Sequence, residues 1–328
     1  MKLSEHRTPQ FRRNILLEEL LTELNADLEL SEEKLISSNL NQEMPFPLIL
    51  VMGPLRSGTT LFTQWLANTD LVAYPTNLLS RFYQAPILGS KIQLLLTDPR
   101  FNFRDELGEF AQQAEYRSEN GKTKGVLAPN EFWYFWRRFL SEPQRDIWSD
   151  EELKQSMDIA TMRAELIGMM NVFQQPFATK GMLFNYNIPF LNSILEKVVF
   201  VQIKRDPVSN VASVLDARKR QLGSESQWYS FQIPEYEALK DLDPITQVSG
   251  QIHHINNAVD NGISSVDESR KLVVQYEEFC ENPKYFFDAL AAKLGLNNPK
   301  YNGPSKFELS RTNILNAEQI SAALKSFK

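Results

Sequence analysis

Gly53 and Gly58 in "MGPLRSGTT" have the spacing of the phosphate loop G-x-x-x-x-G-K-[ST], whose backbone amides and following helix N-terminus hold phosphate. Thr59 fills the lysine position. ATP and GTP loops use that lysine on the β- and γ-phosphates and the next hydroxyl on magnesium. Here the cation is Arg56, inside the loop, followed by Ser57, Gly58, Thr59 and Thr60. Such a loop can clamp an anion with amides, hydroxyls and a guanidinium, without the usual metal logic. A plain strand-turn-helix junction is the bland alternative.

A second candidate is "VVFVQIKRDPVSNVASVLDARK". The apolar run reads as a buried strand, Asp206 as an N-cap and Pro207 as the first helical residue. Arg205 therefore stands where strand gives way to helix, the ligand end of a parallel sheet. Ser213 falls within the helix. Taken singly, Arg205 could be a surface ion-pair residue and Ser213 a helical serine bonded to its own carbonyls. Glu131 precedes five consecutive aromatics in "NEFWYFW". Desolvation there would make it a better proton acceptor, although Asn130 as an N-cap would equally make it a first-turn glutamate favouring the helix dipole. The aromatics cover every direction of a helix, so some should face solvent or ligand, and their faces suit a sugar ring or a phenol.

The elements that must position these residues are short apolar strands separated by helical stretches. Residues 48–52, 177–183, 198–204 and 272–276 read as strands. That order predicts an α/β, P-loop-like three-layer fold, with a mainly parallel central sheet flanked by helices. Residues 11–40 are helix-periodic, with Ile15, Leu16, Leu20, Leu21 and Leu24 at three- and four-residue steps, until Pro45 and Pro47 break the pattern. We expect residues 1–44 to form a helical arm and 45–328 the main domain. The long, mostly helical middle, 78–176, would supply the second-substrate side.

The bulk numbers narrow the classes. Of 328 residues, 42% are hydrophobic and 11% aromatic, enough for a sizeable core. With 35 Lys and Arg against 41 Asp and Glu, the net charge of -6 argues against non-specific binding to nucleic acid or anionic membrane. The single cysteine, Cys280, excludes an internal disulfide framework and a Cys-rich zinc site, and reads as a packed thiol. Glu18 and Glu19 interrupt the apolar cluster near the N-terminus, and no window reaches the roughly 18 apolar residues of a membrane span. The expectation is a soluble, cytoplasmic protein.

Together, "PLRSGTT", "KRDPVSNVAS" and the later "VVQYEEFCENPKYFFDALAAKLGL" resemble the sulfotransferases that use 3′-phosphoadenosine 5′-phosphosulfate (PAPS). The three occur in the family order, and the resemblance runs loosely from Pro47 to Leu296. The loop is similar to that of the bacterial-type and tyrosylprotein-like branch. The resemblance implies that Arg56, Ser57, Gly58, Thr59 and Thr60 bind the 5′-phosphosulfate, that Arg205 and Ser213 bind the 3′-phosphate, and that Tyr276 lies near the adenine. Lys180 takes the place of a family lysine that touches bridging or sulfuryl oxygens; as a lone strand lysine it could instead snorkel at an edge. Arg56 would stabilise the leaving phosphate where a related branch uses lysine. No metal is implied.

The implied reaction moves a sulfuryl group to a hydroxyl of a glycan or small molecule, leaving the 3′,5′-diphosphate (PAP). The tyrosylprotein branch has a glutamate base where this chain has Thr76 and Asn77, and cytosolic members use a mid-chain histidine. His6, His253 and His254 stand elsewhere. Glu131 remains as the candidate base. Two rivals are a nucleotide-binding protein of the same fold without catalysis and an ATP-dependent kinase with a degenerate loop.

Overall fold

The computed structural model describes residues 7–104, 106–111, 116, 118–119, 122–309, 314 and 316–327. In chain order its elements are α1 Ile15–Asn39, β1 Leu48–Met52, α2 Thr59–Ala67, α3 Pro86–Thr97, the short strands β2 Ser118–Glu119 and β3 Lys122–Thr123, and α4 Trp133–Arg137. There follow α5 Asp150–Ser156, α6 Ile159–Phe173, β4 Phe177–Lys180, α7 Ile188–Ile194, β5 Val198–Lys204 and α8 Pro207–Leu222. The chain then forms α9 Tyr236–Leu239, α10 Pro244–Ser264, β6 Lys271–Gln275, α11 Tyr276–Glu281, α12 Pro283–Lys293 and α13 Ala317–Lys325.

The central sheet has the order β4-β1-β5-β6, with every pair parallel. A strand with partners on both sides and helices on both faces has no solvent face, which is why β1 is an unbroken apolar run, LILVM, buried throughout. Alternate residues serve opposite cores. Leu48, Leu50, Met52, Phe177, Val198 and Phe200 pack against apolar side chains of α6, α7, α8 and α10. Ile49, Val51, Val199, Val201 and Ile203 pack against Phe62 and Trp65 of α2, Phe279 of α11 and Phe287 of α12. Each large side chain so buried contributes about 1.5–3 kcal/mol. These two cores fix the tips of β1 and β5 beside one another, and those tips carry Gly53 and Arg205.

The expected strands are found with shifted ends. The strand expected over residues 177–183 stops at Lys180, because Gly181 N–H closes onto Val51 O (2.9 Å) and residues Met182–Phe184 turn as a 3-10 helix. Tyr276, expected to end a strand, instead begins α11. In α1, Ile15, Leu16 and Leu20 point outward while Leu21, Asn25, Glu32 and Asn39 are buried. The buried face is polar because it meets backbone ends. Asn25 donates to Arg81 O (2.7 Å), and the Glu32 carboxylate accepts Ile87 N–H (2.7 Å) and Leu88 N–H (3.0 Å) at the start of α3. Burial pushes the Glu32 carboxyl above its ordinary value, against the pull of those two amides. Cys280 is buried, as expected for a packed thiol, and burial pushes the thiol up. No described helix is long and apolar enough to cross a membrane.

Candidate active site

The loop between β1 and α2 owes its shape to residues distant in sequence. Gly53 has φ 135°, a conformation L side chains rarely adopt, and a Cβ there would stand 2.6 Å from Ile203 O of the neighbouring strand. Asn185 clamps the same glycine twice, accepting its N–H (3.0 Å) and donating to its carbonyl (2.9 Å). Asn210 of α8 donates to Leu55 O (2.9 Å). Arg56 itself has φ 60°, a left-handed conformation uncommon for arginine. Such strain persists only where the surroundings over-determine it.

Arg56, Arg205, Ser213 and Tyr276 come together here from three stretches of chain. Arg205, 7% exposed, donates through Nη1 to Arg56 O (3.0 Å), and its guanidinium lies 4.9 Å from the Tyr276 ring centroid. Gly58 also abuts that ring: a Cβ there would come 2.2 Å from Tyr276 Cδ2. Ser213 Oγ accepts from Arg56 Nε at 3.4 Å. Burial pulls the Arg56 guanidinium below its ordinary value; the Tyr229 phenol opposes this, and the like charge of Arg205 adds to it. An anion placed between the two arginines would relieve that repulsion.

The donor set fits such an anion. Gly58 occupies the N-cap of α2 without a side-chain cap, so the first amides of this helix are left for a ligand at its positive end. Ser57 Oγ is buried in the loop with no hydrogen-bond partner. Thr59 Oγ1 rests 3.7 Å from Met182 Sδ, and Thr60 Oγ1 accepts from Lys180 Nζ at 3.0 Å. Arg56, Gly58, Thr59, Thr60, Arg205 and Tyr276 line a cleft of about 320 Å³, together with Glu131, Trp133, Met182 and Tyr229.

Lys180, 6% exposed at the tip of β4, also pairs with Glu131 Oε1 at 2.8 Å, while Trp133 Nε1–H donates to Glu131 Oε2. The first-turn reading of Glu131 is corrected: α4 begins only at Trp133, and Phe132, at φ 57°, separates it from Glu131. The reason lies in Asn130. Its N–H donates to Pro75 O (2.7 Å), its side-chain amide donates to Asn77 Oδ1 (2.9 Å), and its Oδ1 accepts Phe132 N–H (2.9 Å), which keeps the chain non-helical through Glu131. Asn77 thus braces the segment that carries the carboxylate. Of the aromatic run, Phe132, Phe135 and Trp136 are core, Tyr134 reaches Glu18 at 2.8 Å, and Trp133 faces the cleft. His253 and His254 lie on α10 against Phe327, and neither lines this cleft.

Asn185, Asn210 and Tyr229 carried no sequence signal. Each acts on the site through a fold contact, and an isolated asparagine or tyrosine announces none. Among the described residues no group of three or more His, Cys, Asp or Glu is placed to hold a metal ion.

A family model described as "Sulfotransferase family" matches residues 47–300. Among solved structures, the sulfotransferase STF9 of Mycobacterium avium superposes with a TM-score of 0.55 at 12% identity, covering 99% of this chain and 87% of that one. The sulfotransferase STF1 of Mycobacterium tuberculosis H37Rv superposes with a TM-score of 0.53, also at 12% identity, covering 91% and 81%. At that identity the likeness is one of fold. A search of curated protein sequences returns no match.

Proposed function

The chain belongs to the sulfotransferase family, and from that premise we propose that it moves a sulfuryl group from PAPS to a hydroxyl of a glycan or small molecule. The observation that carries the donor assignment is that Arg56 and Arg205 line one cleft beside an uncapped helix N-terminus, with Ser213 Oγ accepting from Arg56 Nε. Two guanidiniums contributed from different stretches of chain suit a nucleotide with phosphate on both its 3′ and 5′ sides. In this reading Arg205 and Ser213 hold the 3′-phosphate, and Tyr276 abuts the adenosine. The loop from Arg56 to Thr60 holds the 5′-phosphosulfate.

PAPS, when bound, supplies a sulfuryl group whose bond to the phosphate oxygen breaks as a bond to the acceptor oxygen forms. The electron pair of the broken bond stays on the phosphate, where Arg56 and the α2 amides stabilise it. Glu131 takes the acceptor's proton. Its carboxylate is oriented by Lys180 and Trp133, one on each oxygen. Lys180 bridges the carboxylate and Thr60, so it ties the acceptor side to the phosphate loop. Trp133 offers an aromatic wall for the ring of the acceptor. Where the tyrosylprotein-like branch carries its base, this chain has Asn77, which braces the Glu131 segment instead. The protein is expected to act in the cytoplasm, where PAPS would be its only cosubstrate and no metal is needed.

Thermal melting tests the donor. At 100-fold excess over its dissociation constant, PAP should add about 2.7 kcal/mol of stability. ATP with magnesium should add little. Stabilisation by ATP-magnesium and none by PAP would replace this reading with a kinase.

A further inference from the structure

We propose that Tyr229 is a further contact residue of the transfer site, its phenol O–H donating a hydrogen bond to an oxygen of the sulfuryl group in flight between Arg56 and Glu131. The inference rests on the function proposed above. An in-line transfer places the moving group between the residue that stabilises the leaving oxygen and the residue that receives the acceptor's proton. Tyr229 shares the cleft wall with both. Their charges act on its phenol in opposite senses, Arg56 drawing it down and Glu131 pushing it up.

The phenol is held for this purpose from behind. Gln221, 2% exposed near the end of α8, donates through Nε2 to the Tyr229 hydroxyl oxygen at 2.8 Å, which leaves the hydroxyl hydrogen to be directed elsewhere. Burial pushes the phenol above its ordinary value, so the group is a neutral donor at working pH. The backbone on either side is fixed. Trp228 packs edge-on to Tyr236 with centroids 4.8 Å apart and donates to Phe231 O (3.1 Å), and Tyr229 O accepts from Gln251 Nε2 (3.3 Å). Ser230 is held at φ 73°. No proton leaves Tyr229 in the step. Its hydrogen bond holds a sulfuryl oxygen in place while the bond to the phosphate oxygen breaks and the bond to the acceptor oxygen forms.

The test is Tyr229→Phe, which keeps the ring and removes the donor. Three quantities are read on the full chain: affinity for PAP, turnover of sulfur-labelled PAPS with a mixture of simple phenols and monosaccharides as the probe acceptor, and the Michaelis constant for PAPS. Since PAP lacks the sulfuryl group, its affinity should be unchanged, while turnover falls by about 10- to 100-fold, below the worth of a full base. Gln221→Leu should give a smaller fall in turnover with PAP affinity again kept. Unchanged turnover in a Tyr229→Phe protein overturns the inference. So does a loss of PAP affinity as large as the loss of rate, which would make Tyr229 a phosphate or packing residue. If the unaltered protein neither binds PAP nor transfers label, the function proposed above fails first, and this inference falls with it.

Discussion

Glu131→Gln separates a proton acceptor from a structural strut. Glu131 Oε1 meets Lys180 Nζ at 2.8 Å, with side chains 35% and 6% exposed respectively. Two unit charges at that distance attract by about 1.5 kcal/mol in water and about 6 kcal/mol at an effective dielectric of 20. The exposure of Glu131 places the pair toward the lower figure, and the desolvation of Lys180 offsets part of it. Glutamine keeps an oxygen for Lys180 but turns an amide N–H₂ toward the Trp133 indole N–H, so the bond to Trp133 is lost as well. The sum is a loss of about 1–3 kcal/mol in folding stability. Turnover should fall much further, by about 10² to 10⁴, the worth of a positioned base. Urea unfolding gives the first quantity, label transfer from PAPS the second, and PAP affinity, which should persist, shows that the loop is intact. A folded variant with the wild-type rate refutes the assignment. Loss of PAP binding in parallel with the rate would instead make the Glu131–Lys180 pair a brace for Thr60 and the phosphate loop.

Arg205→Ala should weaken PAP far more than adenosine 5′-phosphate, by about 2–5 kcal/mol for the lost buried charge contact; calorimetry that finds both ligands weakened alike removes Arg205 from the 3′-phosphate. Gly58→Ala forces a side chain onto φ 106° and a Cβ to 2.2 Å from Tyr276 Cδ2. It should cost about 1–3 kcal/mol of stability and also weaken PAP, because Tyr276 cannot move without leaving the Arg205 guanidinium; denaturation and titration curves matching wild type would contradict this. For Glu32, whose folded carboxyl is raised by burial, the sign is set by proton binding: the folded state holds the proton more tightly, so this residue's contribution to stability is present at low pH and lost as pH rises through the folded value. Unfolding measured as pH rises from the ordinary carboxylate value should show that slope in the wild type and a shallower one in Glu32→Gln. Superimposable profiles would show that Glu32 does not carry it.

The sequence alone determined the parts of this protein in which a few adjacent residues carry both the local structure and the chemistry. The unbroken apolar run of β1, the glycine spacing from Gly53 to Gly58, and the Asp206 cap with Pro207 after the β5 run each announce strand, turn or helix start through short-range sterics and hydrogen bonding. The α/β class followed from the order of such segments. Strand ends were less legible, because Lys180 and Tyr276 sit where tertiary contacts, and not propensity, decide when the ladder stops. The helix of α1 was legible from its periodicity, but which face it buries was not: the partner surface offers Arg81 O and the Ile87 and Leu88 amides, so asparagine and glutamate go inward.

Only the tertiary structure decided how the site is assembled. The Glu131–Lys180 pair spans 49 residues and the Asn185 clamp on Gly53 spans 132. Tyr229 reaches the cleft because Gln221, Trp228 and Gln251 fix it there. Each of these contacts depends on which surfaces two packed cores bring together, and an interaction whose partner lies a hundred residues away leaves no periodicity or spacing in the chain for a reader to find. Even Glu131 was ambiguous until the bonds of Asn130 to Pro75 and Asn77 showed that no helix begins there. The spacing of the loop is written locally, in Gly53, Gly58 and the hydroxyls that follow, although its shape also depends on Asn185 and Asn210. Glu131, Lys180 and Tyr229 come from separate elements, and their convergence is a property of the fold.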